Sequence, residues 1–215
     1  MPRLVTESHT LKQSKWLELV GRAYYRLTGW SIRGQMPDVP KSVIIVGPHT
    51  SNWDFFVFMM GSFILRLRGQ WMGKHTLFVG PVGWIFRKLG GIPIERSSRH
   101  DLVGQAIQAI EKSSAITLVI AAEGTRKKSD HWKSGFYYIA LGAKVPIVMA
   151  YADFAKKEAG IGPHFIPTGD VEADLKIIRD FYNSVTPKYP EHRSEVRFRD
   201  QGIPRQKSSS VPEQG

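Results

Sequence analysis

Hydrophobic and polar positions change period several times along this chain, and each change marks an element. Residues 11–28 repeat at helical spacing. Leu17, Val20, Tyr24 and Leu27 fall on one side, with Lys12, Lys15, Arg22 and Arg26 on the other. The stretch SIRGQMPDVPKS that follows holds a glycine and two prolines and reads as a loop. Beyond it, short apolar runs alternate with helical patterns. Strands are predicted at 43–46 (VIIV), 76–79 (TLFV), 92–95 (IPIE), 115–121 (AITLVIA) and 145–152 (VPIVMAYA). Helices are predicted over 52–67, 82–89, 99–112, 134–143 and 171–184. Ser97 or Ser98 would cap the third of these. Asp170 would cap the last, with Leu175, Ile178 and Phe181 turned inward.

Such alternation predicts an α/β domain, with a mixed, largely parallel sheet flanked by helices. We place it at residues 31–185, after an amphipathic N-terminal helix (1–30) and before a C-terminal extension (186–215). The end of that extension, QGIPRQKSSSVPEQG, is rich in Ser, Pro and Gly and reads as a flexible tail.

Composition narrows the function. A hydrophobic content of 42% in 215 residues is ample for one core. The absence of cysteine excludes a disulfide scaffold, a thiolate metal site and a cysteine nucleophile. A net charge of +11 favours anionic partners: nucleic acid, an anionic bilayer surface or phosphorylated substrates. The longest apolar run, residues 55–65, is far short of the roughly 20 residues a membrane span needs. MPRLVTESHTLKQ has no apolar core of the kind a signal peptide carries. The expectation is a cytoplasmic protein held peripherally on the inner face of a membrane, with residues 11–28 suited to lie on anionic lipid.

Polar clusters follow three of the strands. GPHTSNWDFF after VIIV puts His49 five residues before Asp54. With 7 His and 19 acidic residues, random placement yields roughly 0.6 such spacings, so the pattern alone is weak. The others are Glu95 and Arg96, ending GGIPIERSS, and Glu123 to Lys128, the run EGTRKK. Each has a plain structural reading: Arg96 paired with Glu95, Glu123 paired with Arg126, RKK as a solvated basic run, and His75 and His131 as surface histidines. In an open α/β sheet, however, sites form beyond the carboxyl ends of the strands. If these strands are parallel, the three clusters meet at one edge. There His49 would accept a proton from an alcohol and Asp54 would hold its imidazole. Arg96 and Arg126 would clamp phosphate, and Gly124 would admit a ligand close to the backbone.

These residues carry a family resemblance. HTSNWD resembles the His-x4-Asp block of the glycerolipid acyltransferases of the lysophosphatidate (PlsC-like) type. GGIPIER resembles their second block, EGTR their third and VPIV (145–148) their fourth, all in the family's order over about 100 residues. Ala121 and Ala122 stand where the third block usually has Phe-Pro, and Met149 where the fourth often continues with proline. The resemblance implies transfer of a fatty acyl group from an acyl thioester, on CoA or acyl carrier protein, to the hydroxyl of a lysophospholipid. The acceptor would be 1-acyl-glycerol-3-phosphate, with no other cofactor. His49 would be the base and Asp54 its partner. Arg96, Glu123, Gly124, Thr125, Arg126 and Lys74 would bind substrate. The lack of a Gly-x-Ser-x-Gly elbow fits direct transfer without an acyl-enzyme. Competing readings are an acyltransferase for a lyso-aminolipid or another alcohol, and a basic membrane- or nucleic-acid-binding domain. No helix-turn-helix, zinc-finger spacing or RNP-type strand supports nucleic acid. His49 has no second histidine at metal-ligand spacing.

Overall fold

The computed structural model describes residues 15–67, 69–94 and 99–199. Val43, Ile44 and Ile45 are buried at the centre of β2 (Lys41–Gly47), as an unbroken apolar run requires when both faces of a strand are covered. β5 (Ile116–Ala121) and β6 (Ile147–Asp153) flank it, both parallel. The seven-stranded sheet runs β1 (Ser31–Arg33), β7 (Glu158–Phe165), β6, β2, β5, β3 (Gly69–Lys74), β4 (Gly91–Ile94). Among the described residues, only β6 and β7 pair antiparallel. The expected mixed, largely parallel α/β fold is therefore the observed one.

Helices cover both faces. On one, α4 (Arg99–Lys112), α5 (Gly135–Ala143) and α6 (Val171–Asn183) enclose Val43, Ile45, Ile147 and Met149. Asp170 caps α6, accepting from the Ala173 amide at 3.1 Å, and Leu175 and Ile178 are buried beneath it. On the other face, α1 (Lys15–Thr28) and α2 (Asn52–Ile64) lie over Ile44, Val148 and Ala159. α1 approaches α2 through Gly21, where a Cβ would stand 2.6 Å from the Met60 carbonyl oxygen. The Tyr25 hydroxyl then donates to the Val57 carbonyl at 3.0 Å.

Several expectations are corrected. Residues 76–79 are not a strand. His75–Phe78 is a 3-10 turn leading into α3 (Gly80–Lys88), and the strand of this region is β3 just before it. GQWMGK has little strand character of its own and is held by pairing with β5 and β4. The presumed loop 31–42 contains β1, which pairs with β7, itself unforeseen because EAGIGPHF carries two glycines and a proline. A Cβ at Gly160 would sit 1.9 Å from the Arg33 carbonyl oxygen, so this pairing requires a glycine. On α1, Leu27 does not share the packed side: it is 86% exposed. The first turn of that predicted helix (11–14), Ser97, Ser98 and the tail 201–215 lie outside the described residues. Residues 186–199 pack on the domain. Val196 and Ser194 are buried, Phe154 N–H donates to the Thr186 carbonyl at 2.8 Å, and Trp132 N–H donates to that of Arg197 at 2.9 Å.

Candidate active site

Because β2 and β5 are parallel neighbours, the loops that follow them leave the sheet side by side. Ser51 ends the first loop as the N-cap of α2, its hydroxyl accepting from the Trp53 amide at 3.1 Å. Asp54, three residues into the capping box, turns back. Its Oδ2 accepts from the Thr50 and Ser51 amides, each at 2.8 Å. The same oxygen lies 3.1 Å from His49 Nδ1. That approach is within hydrogen-bond distance but not aligned as a bond. The Asp54 side chain is wholly buried while that of His49 is 20% exposed, so the carboxylate stands behind an imidazole that reaches the surface. With Nδ1 turned to Asp54, Nε2 is the nitrogen available to a ligand.

The second loop supports the first from below. Glu123 is buried, and its Oε1 accepts the His49 backbone N–H at 2.6 Å. Its Oε2 has no aligned partner, although the nearby Ser194 hydroxyl favours the charged form. Burial outweighs both hydrogen bonds and raises the carboxyl pKa above its ordinary 4.5. Gly124 takes a left-handed φ of 65°, which carries the chain from Glu123 out to Thr125 and Arg126. Arg126 is exposed, and its Nη1 donates to Oδ1 of Asn52, the first residue of α2. Thus His49, Asp54, Glu123, Gly124, Thr125 and Arg126 come together. Lys74 closes β3, one strand beyond β5. Arg96 lies outside the described residues.

A cleft of about 1950 Å³ opens beside His49, with Trp53, Phe55, Phe86, Thr125 and Arg126 in its wall. Much of the apolar run 55–65 lines it. Tyr189 and His192 also line it, from the C-terminal extension. The Tyr189 amide donates to the Thr50 hydroxyl at 3.2 Å, and the Ser129 amide to the Ser194 hydroxyl at 3.0 Å. The extension is thereby tied to both site loops. Sequence reasoning missed these residues because they sit among prolines and charges with no periodic pattern.

The blocks that build this site fall within one stretch of sequence. A family model described as Acyltransferase matches residues 32–151. The chain belongs to the acyltransferase family. This acyltransferase is similar in fold to the 1-acyl-sn-glycerophosphate (LPA) acyltransferase PlsC from Thermotoga maritima, known from its crystal structure. The TM-score is 0.56 at 20% identity, covering 78% of this chain and 76% of that one. No curated protein matches it. Among the described residues no helix is long and apolar enough to cross a membrane.

The position of Glu123 in this acyltransferase gives a signed prediction. A carboxyl whose folded pKa is raised binds more protons folded than unfolded, from pH 4.5 up to that raised value. Across this window the wild type loses stability as pH rises. Glu123→Gln removes the titration. Chemical denaturation of both proteins from pH 4.5 upward should show the wild type losing stability relative to the variant. A relative gain by the wild type would reverse the sign and refute the raised pKa.

Proposed function

We propose that this acyltransferase moves a fatty acyl group from an acyl thioester, on CoA or acyl carrier protein, to the free hydroxyl of a lysophospholipid, 1-acyl-glycerol-3-phosphate. The observation that carries the reading is the His49–Asp54 pair at the mouth of a cleft with an apolar wall and an arginine on its rim. His49 Nε2 takes the proton of the acceptor hydroxyl as its oxygen attacks the thioester carbonyl carbon. The tetrahedral intermediate collapses with cleavage of the C–S bond, and the imidazolium returns its proton to the leaving thiolate. Asp54 keeps Nδ1 protonated and stabilises the imidazolium. Glu123 holds the backbone of His49, and no further cofactor is needed.

Arg126, with Arg96 and Lys74, binds the acceptor's phosphate. Arg126 stands at the start of α2, where backbone amides also favour an anion. Hydrogen bonds to charged groups contribute about 1.5–3 kcal/mol, so Arg126→Gln should raise the acceptor KM roughly 10- to 100-fold. The donor KM should stay nearly constant in the same steady-state measurements. A rise confined to the donor would assign Arg126 to the thioester carrier's phosphates instead.

The enzyme works as a peripheral protein on the cytoplasmic face of the membrane, with α1 as one contact. Trp16 and Leu19 stand outward on that helix beside Lys15 and Arg26, while Arg22 is paired with Glu18 at 2.9 Å. Each cation contributes about 1 kcal/mol near an anionic surface, enough together for reversible attachment. Expression in a cell lacking lysophosphatidate acyltransferase, followed by lipid analysis, tests the acceptor. Growth restored with diacylglycerol phosphate made is the expected result. Acyl transfer to a different lipid would replace this acceptor and keep the chemistry.

A further inference from the structure

α3 is amphipathic in the reverse of the usual sense. The residue it buries is Gly83, where a Cβ would stand 2.1 Å from the Phe78 carbonyl carbon. The helix therefore packs on the preceding turn by bare backbone, and Phe86 is its main apolar contact inward, meeting Phe55 and Trp71 at ring-centroid distances of 5.6 Å each. Its other large apolar side chains face solvent. Trp84 is 63% exposed, with Val82 and Ile85 also exposed, and Val79 and Leu77 just before the helix are exposed too. One exposed leucine means little, but five such residues within nine positions form a patch that needs a partner.

The charge around the patch indicates which partner. From Phe55 to Ile94 the chain carries no acidic residue, and the last turn of α3 itself holds Arg87 and Lys88. Lys88 Nζ is 5.7 Å from the centroid of the Trp84 ring, an aromatic and a cation side by side at the patch edge. Apolar side chains with Trp and Lys at the margin and no carboxylate match a lipid interface, where ring and ammonium meet the headgroups and the aliphatic residues enter the acyl boundary. The patch also adjoins the cleft: Leu77 of the patch and Lys88 at its edge both line it.

We infer that residues 77–88 form a membrane-facing lip, separate from α1, that seats on an anionic bilayer and hands the amphiphilic acceptor from the lipid layer to the cleft. The lip rests on the lysophospholipid reading for what it delivers, though not for its attachment to lipid.

The test uses the full chain and the triple variant Val82→Ser, Trp84→Ser, Ile85→Ser. All three positions are exposed and outside the cleft wall, so the fold should persist, which circular dichroism checks. Co-sedimentation is measured with phosphatidylcholine vesicles, with and without phosphatidylglycerol. Turnover is measured on acceptor presented in those vesicles and on a short-chain acceptor kept monomeric. The wild type should bind the anionic vesicles and the variant should bind on the order of tenfold less or weaker. Vesicle-presented turnover should fall with it, and monomeric turnover should be unchanged. A folded variant that binds like the wild type overturns the lip, as does a wild type that ignores anionic vesicles. A dimeric wild type turned monomeric by the substitutions, with vesicle binding unchanged, overturns it in favour of a second copy of the chain. A binding difference with no turnover on either acceptor supports the lip and overturns the acceptor reading instead.

Discussion

His49→Ala should lose between about 10² and 10⁴ of turnover, the range for removal of a general base, while keeping the fold. The imidazole is partly exposed at the edge of the cleft. Its main structural tie, the backbone N–H to Glu123 at 2.6 Å, does not depend on the side chain. Truncation should therefore leave thermal stability within about 1 kcal/mol of the wild type, as is usual away from the core. The loss should lie in kcat with both substrates saturating, since the proton is taken only as the oxygen attacks. A folded variant with near-normal kcat would show that another group removes the proton.

Asp54 carries the second large effect, and two substitutions separate its two roles. A capping-box carboxylate is a sufficient reason for a buried acid at this place, with no catalysis involved. Asp54→Ala removes the acceptor of two amides held at 2.8 Å. It should cost about 2–4 kcal/mol, from the lost cap and the buried N–H groups left without a partner. Asp54→Asn keeps the shape and one acceptor oxygen, so most of the cap survives. It no longer balances an imidazolium, because the oxygen that keeps the two amides and stays nearest Nδ1 carries no charge. The Asn variant should keep most of the stability and still lose on the order of 10²–10⁴ in kcat, the scale seen when an orienting carboxylate is neutralised. Asn turnover that tracks only its stability would leave Asp54 a helix cap. Melting curves beside steady-state kinetics for both variants decide the matter.

The legible parts of this molecule are those where local pattern and tertiary role agree. VIIV could only be a strand covered on both faces, and β2 is the centre of the sheet. Asp170 before an apolar helical repeat could be read as a cap, and it is one. The His49 and Glu123 loops could be brought together because parallel strands put their carboxyl ends on one edge, and β2 and β5 are in fact neighbours. The illegible parts depend on partners far along the chain. β3 and β7 are strands by virtue of their neighbours, against their own glycines. Leu27 fits a packed helical repeat but faces outward, and Trp84 is exposed too, because α1 and α3 pack through Gly21 and Gly83 and leave larger residues outside. Hydrophobic periodicity finds an apolar face without saying whether protein covers it. Tyr189 and Ser194 reach the site from a stretch with no period at all, held there by hydrogen bonds to Thr50 and Ser129.

The central claim is direct acyl transfer to an acceptor hydroxyl with His49 as base. Its most direct test is the stoichiometry of one reaction: purified protein with acyl-CoA, with and without 1-acyl-glycerol-3-phosphate, following free thiol and acylated product together. Thiol should appear with the acceptor present, mole for mole with diacylglycerol phosphate, and both should fall together by about 10²–10⁴ in His49→Ala. Thiol released without acylated lipid, or product formed equally well by His49→Ala, would contradict it.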